Sequence, residues 1–115
     1  MSRAAIIVAA LVLVSLVGVA HAAVNARTQA LTTAYLGSNL TSSAGTQSIE
    51  LGCLDAGALV ACTLRVTDAA GDNVEYVIPA GNVWSMNMGR PRPAGYLAFN
   101  VKAAAGTPTL QILEY

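Results

Sequence analysis

Residues 59–78, LVACTLRVTDAAGDNVEYVI, decide the fold. Val60, Cys62, Leu64 and Val66 alternate with Ala61, Thr63, Arg65 and Thr67, the period of two that turns every second side chain toward a core. Asp68-Ala69-Ala70-Gly71-Asp72 interrupts the run with a hairpin loop. Its aspartates can accept bonds from nearby backbone N–H groups, and its glycine tolerates a positive φ. The alternation resumes on the way back, with Val74, Tyr76 and Ile78 facing in and Glu75 and Val77 facing out. Two such runs joined by a short loop predict an antiparallel hairpin.

The same grammar extends in both directions. Upstream, Ile49, Leu51 and Cys53 form an inward-facing set that stops at the Asp55-Ala56-Gly57 turn. Downstream, Pro79-Ala80-Gly81-Asn82 reads as a turn, because Pro79 cannot continue a central ladder. Val83–Met88 is then a short strand in which Trp84, Met86 and Met88 share a face. Gly89–Gly95, GRPRPAG, is a loop that its prolines hold extended. Tyr96–Ala103 carries Leu97, Phe99 and Val101 on one face, and Thr109–Tyr115 closes the run with Leu110 and Ile112 inward. About six strands and no helical period predict a mainly β domain over residues 49–115, a small antiparallel β-sandwich or jelly-roll-like unit.

Residues 37–48, GSNLTSSAGTQS, read as a flexible connector, with Asn39-Leu40-Thr41 matching a glycosylation triplet. Ahead of it the character changes. From Ala4 to Ala26 the chain has no charged residue apart from the neutral His21. As a secretory signal this stretch has Arg3 in a positive n-region, an apolar h-region and Ala20-His21-Ala22 as the cleavage site. As an anchor, residues 4–26 are long enough to span about 30 Å of hydrocarbon as a helix. The good helix formers that follow, up to Gly37, favour the anchor. They predict one long N-terminal apolar helix and stalk over residues 1–36, about 50 Å in length. The charge distribution sets its N-terminus on the cytoplasmic side. Either reading places the β domain outside the cytoplasm, free and secreted if the leader is cut after Ala22.

Six Lys and Arg balance six Asp and Glu for a formal net charge of zero. That is no footprint for nucleic acid, which is bound through a strongly basic surface. So little charge instead leaves the domain open to association with protein subunits. Cys53 and Cys62 would face each other across a hairpin turning between Gly57 and Ala58. In an exported domain a disulfide there stabilises by about 2 kcal/mol through chain entropy, the alternative being two small buried apolar side chains.

The catalytic inventory is thin. His21, the single histidine, lies in the leader, so the domain has no imidazole for a triad or a zinc site. The aspartates fall in turns, and Glu50 and Glu75 on outward strand positions. No phosphate-binding loop is present, and the Asp68–Asp72 loop lacks the spacing of a calcium loop. We expect a non-enzymatic protein without cofactor or metal.

The run LRVTDAAGDNVEYVIPAGNVWSMNMGRPRPAGYLAFNVKAAAGTPTLQILEY resembles the small β-sandwich modules of bacteriophage virion proteins. The shared elements are a VTxxxG hairpin, an IPAG turn and a terminal AGTPTLxxLEY-like strand. The N-terminal apolar segment departs from soluble fibre or capsid-decorating modules and suits a virion that contains a membrane, or an exported surface subunit. The resemblance implies a minor structural component that contacts neighbouring coat subunits. The first contact candidates are Trp84, Met86, Met88, Arg90 and Arg92. Two alternatives stand beside it. One is a secreted carbohydrate- or host-binding module that stacks its ligand on Trp84, Tyr96 or Tyr35. The other is a pilin-like polymer subunit, although the chain lacks the residues that begin a type IV pilin.

Overall fold

The computed structural model describes residues 25–68 and 70–115. They form β1 (Asn25–Ala30), β2 (Leu40–Thr41), β3 (Thr46–Asp55), β4 (Ala58–Leu59), β5 (Cys62–Thr67), β6 (Asn73–Ile78), β7 (Trp84–Arg92), β8 (Ala98–Ala103) and β9 (Thr109–Glu114). All pairings are antiparallel. One sheet runs β1-β9-β3, with β4 and β7 sharing the far edge of β3, and the second runs β2-β8-β5-β6. The fold is thus mainly β, a two-layered sandwich.

Alternation builds the core between the layers. Ile49, Leu51 and Cys53 of β3 and Leu110 and Ile112 of β9 face Leu64, Phe99 and Val101 of the second sheet, all at most 1% exposed. Burying such side chains stabilises by about 1.5–3 kcal/mol each. Gly52 points out of the first sheet. A Cβ there would lie 3.0 Å from Val83 Cγ1 and 3.1 Å from Leu59 Cδ2, so any other residue would push these two side chains back from β3.

The hairpin after β3 turns one residue earlier than the Gly57–Ala58 centre expected from the spacing of the cysteines. Leu54 pairs with Leu59 and Asp55 with Ala58, and the turn residues Ala56 and Gly57 have φ of 51° and 83°. Two positive φ values define a type I′ turn, for which Asn-Gly is the favoured pair. Ala56 is therefore strained, and Ala56→Asn should raise stability by about 0.5–1 kcal/mol. A rise in the urea midpoint at constant m checks it, and an unchanged or lower midpoint refutes it.

The predicted single strand over Leu59–Thr67 is broken at Val60 and Ala61, where the chain leaves the first sheet for the second. Cys53 and Cys62 consequently do not face each other across a hairpin. They sit on β3 and β5 and join the two sheets through a disulfide in the core, with Cα atoms 6.5 Å apart.

The largest corrections fall at the N-terminal side. Residues 1–24, which carry most of the expected membrane helix and the Ala22 cleavage site, lie outside the described residues. Over 25–36, however, there is no helix. Asn25–Ala30 is a strand paired residue by residue with β9, so Asn25 and Ala26 belong to a sheet and not to a lipid-spanning run. Among the described residues no helix is long and apolar enough to cross a membrane. Residues 31–39 form a strap that carries the chain from the first sheet to the second. Leu31 plugs the core at 1% exposure and donates its N–H to Pro108 O, while Thr32 O accepts from Ala103 N. The expected connector 37–48 is likewise structured. It holds β2 and the start of β3, and Ser42 and Thr46 within it are buried.

Candidate interaction surface

The two sides of the sandwich differ. On the β1/β2 side the strap closes the gap between layers. Asn100, outward-facing on β8, is buried beneath it: its Oδ1 accepts from Leu36 N at 2.8 Å, and its Nδ2 donates to Leu36 O at 3.0 Å and Asn39 Oδ1 at 3.1 Å. Tyr35 lies on the outer face of the second sheet. Its ring has Arg65 Cζ 4.2 Å and Lys102 Nζ 4.8 Å from its centroid, and its hydroxyl donates to Glu75 Oε2 at 2.6 Å. Burial, then the hydrogen bond to Glu75 and its charge, push the phenol up to about 12. Tyr35 is thus a structural latch whose ring is already flanked by cations.

The β1 end is fastened by a buried carboxylate that no motif in the sequence marks. Glu114 of β9 accepts from Ser43 N at 2.8 Å, Ser43 Oγ at 2.9 Å and Asn25 Nδ2 at 2.8 Å, with Arg27 Nη2 at 3.4 Å. Burial alone would raise its pKa, but the hydrogen bonds from Ser43, Asn25 and Arg27 outweigh it and hold the carboxyl below the usual carboxylate range. The cluster ties β1, the 42–46 turn and β9 together. Arg27 is about one-third exposed and contributes little through charge alone.

The β6/β7 side is open. Trp84 pairs with Leu51 and Met86 with Ile49, so both project from β7 into the gap between layers. Tyr76 of β6 reaches Trp84 from the opposite sheet, with ring centroids 5.8 Å apart at 45°, the tilted geometry aromatic pairs favour. No strand seals this side among the described residues, so side chains of inward register are left in water: Val74 48%, Tyr76 42% and Met86 38% exposed. Val77, on the outer face of β6, is 75% exposed.

The five contact candidates are divided by this geometry. Trp84, half-buried, and Met86 belong to the open edge. Met88, on the same inward face of β7, is buried in the core cluster at 5% and offers no contact surface, a correction that follows from that face's packing into the gap between layers. Thr46 pairs with Arg92 while Ser48 pairs with Asn87, so β7 continues through what was read as a free loop, with extra residues bulged out. Arg92 is folded back within that bulge: Nε and Nη2 donate to Met88 O at 3.0 and 2.8 Å, and its guanidinium covers the Tyr96 ring at 4.5 Å. Arg90 is exposed. The stacking candidates Tyr35, Trp84 and Tyr96 occupy three separate places and form no common platform.

Alternation alone places Val74 and Tyr76 in the core, whereas the structure leaves them 48% and 42% exposed. Their alternation is right, but nothing in one sequence marks β6 as an edge strand. Among the described residues, no three His, Cys, Asp or Glu side chains gather as a metal site would require. Asp68 caps its own loop, its Oδ1 accepting from Ala70 N and Asp72 N at 2.9 Å.

No family model and no curated protein matches the chain. Among solved structures it is similar to the crystal structure of CoII HppE in complex with substrate, at 14% identity and a TM-score of 0.43, covering 67% of this chain and 36% of that one. A likeness so slight carries no argument about fold or activity.

Proposed function

We propose that this chain is a non-enzymatic structural or assembly protein, a minor virion component whose β domain contacts neighbouring coat subunits. The observation that carries the proposal is the open β6/β7 edge, where a sandwich of low charge leaves Val74, Tyr76, Val77 and Met86 in water. Grouped apolar exposure of this kind marks a surface meant for a partner. The strand orders support the finer description of a jelly roll, an architecture shared by capsid and lectin domains: successive strands pass back and forth between the layers, and β9 inserts between β1 and β3. The core disulfide supports assembly in an oxidising compartment, outside the cytoplasm.

Both leader readings fit that compartment, but the stalk is withdrawn. If anchored, the apolar run would lead directly into β1 and hold the domain close to the lipid. If cut after Ala22, the domain would be released and reach its assembly as a soluble subunit. The secreted carbohydrate-binding alternative is weakened at Trp84, which is half-buried beside Tyr76 and bordered by Val74 and Met86, where a sugar site would have a polar rim.

Purification from the native source with identification of co-purifying proteins tests the assembly reading. Other virion structural proteins in constant ratio are the expected result. A free protein that binds glycans, and loses them in a folded Trp84→Ala variant, would replace this reading with the carbohydrate one. Intact mass and membrane flotation of the same material distinguish the anchored from the processed form.

A further inference from the structure

We propose that β6 is a self-association edge. It pairs antiparallel with β6 of a second copy about a two-fold axis centred on Tyr76, joining two four-stranded sheets into one of eight strands. This names a partner within the assembly reading and rests on it. Among the described residues β6 pairs with β5 alone, and Asn73–Val77 are all exposed. Natural edge strands are usually protected by Lys, Pro, a bulge or a covering segment. The other outer edges are blunted differently: β7 carries Arg90, Pro91 and a shifted register, β2 is only two residues long, and β1 offers Asn25, Arg27, Thr28 and Gln29 rather than apolar side chains. β6 has none of these features. Its one charge, Glu75, already receives the Tyr35 hydroxyl.

Exposure and charge both select a second copy. Val74 and Tyr76 on one face of β6 and Val77 on the other are 48%, 42% and 75% exposed, an apolar edge whose one charge is Glu75. Edge pairing would cover part of these side chains in each copy and add a backbone ladder between them, a contact at the small end of specific interfaces. A two-fold contact is self-complementary, so register is fixed by what meets itself. An axis through Glu75 would oppose two carboxylates. An axis through Tyr76 instead sets Glu75 opposite the partner's Val77 and Val74 opposite the partner's Ile78, and stacks the apolar sets on one face.

The charge pattern gives a test of opposite signs. The full chain, as its source processes it, is compared by sedimentation velocity with Val77→Glu and Val77→Lys. Val77 is 75% exposed in the single copy, so both variants should keep the wild-type fold, read by circular dichroism. Wild type should be a dimer. Val77→Glu, facing the partner's Glu75, should weaken it at least tenfold, and Val77→Lys should leave it as tight or tighter. A wild-type monomer, or equal weakening by both charges, overturns the inference. Tyr76→Cys supplies a second readout. Directly opposed Cα atoms lie about 4.5–5.5 Å apart, within disulfide range, so this variant should oxidise to a covalent dimer while Glu75→Cys does not. Failure of Tyr76→Cys to link, or preferential linking of Glu75→Cys, overturns the register. A monomer that still co-purifies with virion proteins refutes self-pairing and leaves the assembly reading intact. A dimer with no other partner does the reverse.

Discussion

Replacing Cys53 and Cys62 together by alanine should lower the unfolding free energy by about 3–5 kcal/mol, the upper part of the range for small domains. The closed loop is short, and chain entropy alone accounts for about 2–3 kcal/mol in the loop-closure model. The remainder comes from position. Both sulfurs lie in the core, with the residues 0% and 1% exposed, and the bond joins β3 in one sheet to β5 in the other. Its loss leaves cavities between layers that the surrounding Leu, Ile and Phe side chains fill only in part. Without the cross-link the unfolded chain also exposes more surface, so the urea midpoint should fall while m rises. Equilibrium unfolding followed by circular dichroism measures both. A midpoint within error of wild type would show that the sheets hold together without the bond.

Glu114→Gln is expected to cost about 2–3 kcal/mol at neutral pH, because an NH2 group would replace one acceptor oxygen among fixed donors. Ser43 N, Ser43 Oγ and Asn25 Nδ2 all point at the carboxylate within 2.9 Å, and it is fully buried. The pH dependence follows from the depressed pKa. Its contribution is fully present above the unfolded-state value near 4.5 and is lost as pH falls through the lower folded-state value. Wild type should therefore lose stability more steeply than Glu114→Gln in acid, and the gap between them should narrow below about pH 4. Unfolding free energies from pH 7 to 3 decide it. A gap constant across that range would mean that Glu114 does not titrate with folding.

The strands of residues 49–115 were legible because their inner faces are apolar and their turns carry Gly, Pro and Asp. Leu51, Leu64, Phe99 and Ile112 were placed in the core by alternation alone. β1 was not legible. Its half-buried side chains are Asn25, Arg27 and Gln29, and its exposed ones Ala26, Thr28 and Ala30, so it has no hydrophobic signal of either period. Helix propensity was a weak guide there, and the backbone ladder to β9 with the Glu114 cluster overrides it. The disulfide was foreseen as a pair of residues but not as a bridge between layers. That depended on where the chain crosses from sheet to sheet, at Val60 and Ala61. The open edge was half legible: Trp84 and Met86 were singled out together, while their neighbour Tyr76 was assigned to the core. Periodicity gives the face of a strand and not whether a neighbour covers it.

The position of β9 bears on how the chain can be made. It is the last of the described strands to be synthesised, yet it lies in the first sheet between β1 and β3 and supplies Leu110, Ile112 and Glu114 to the interior. Until it emerges, β1 has no strand to pair with and the polar groups of Asn25 and Ser43 have no carboxylate to meet. The first sheet therefore closes only once Thr109–Glu114 has been made.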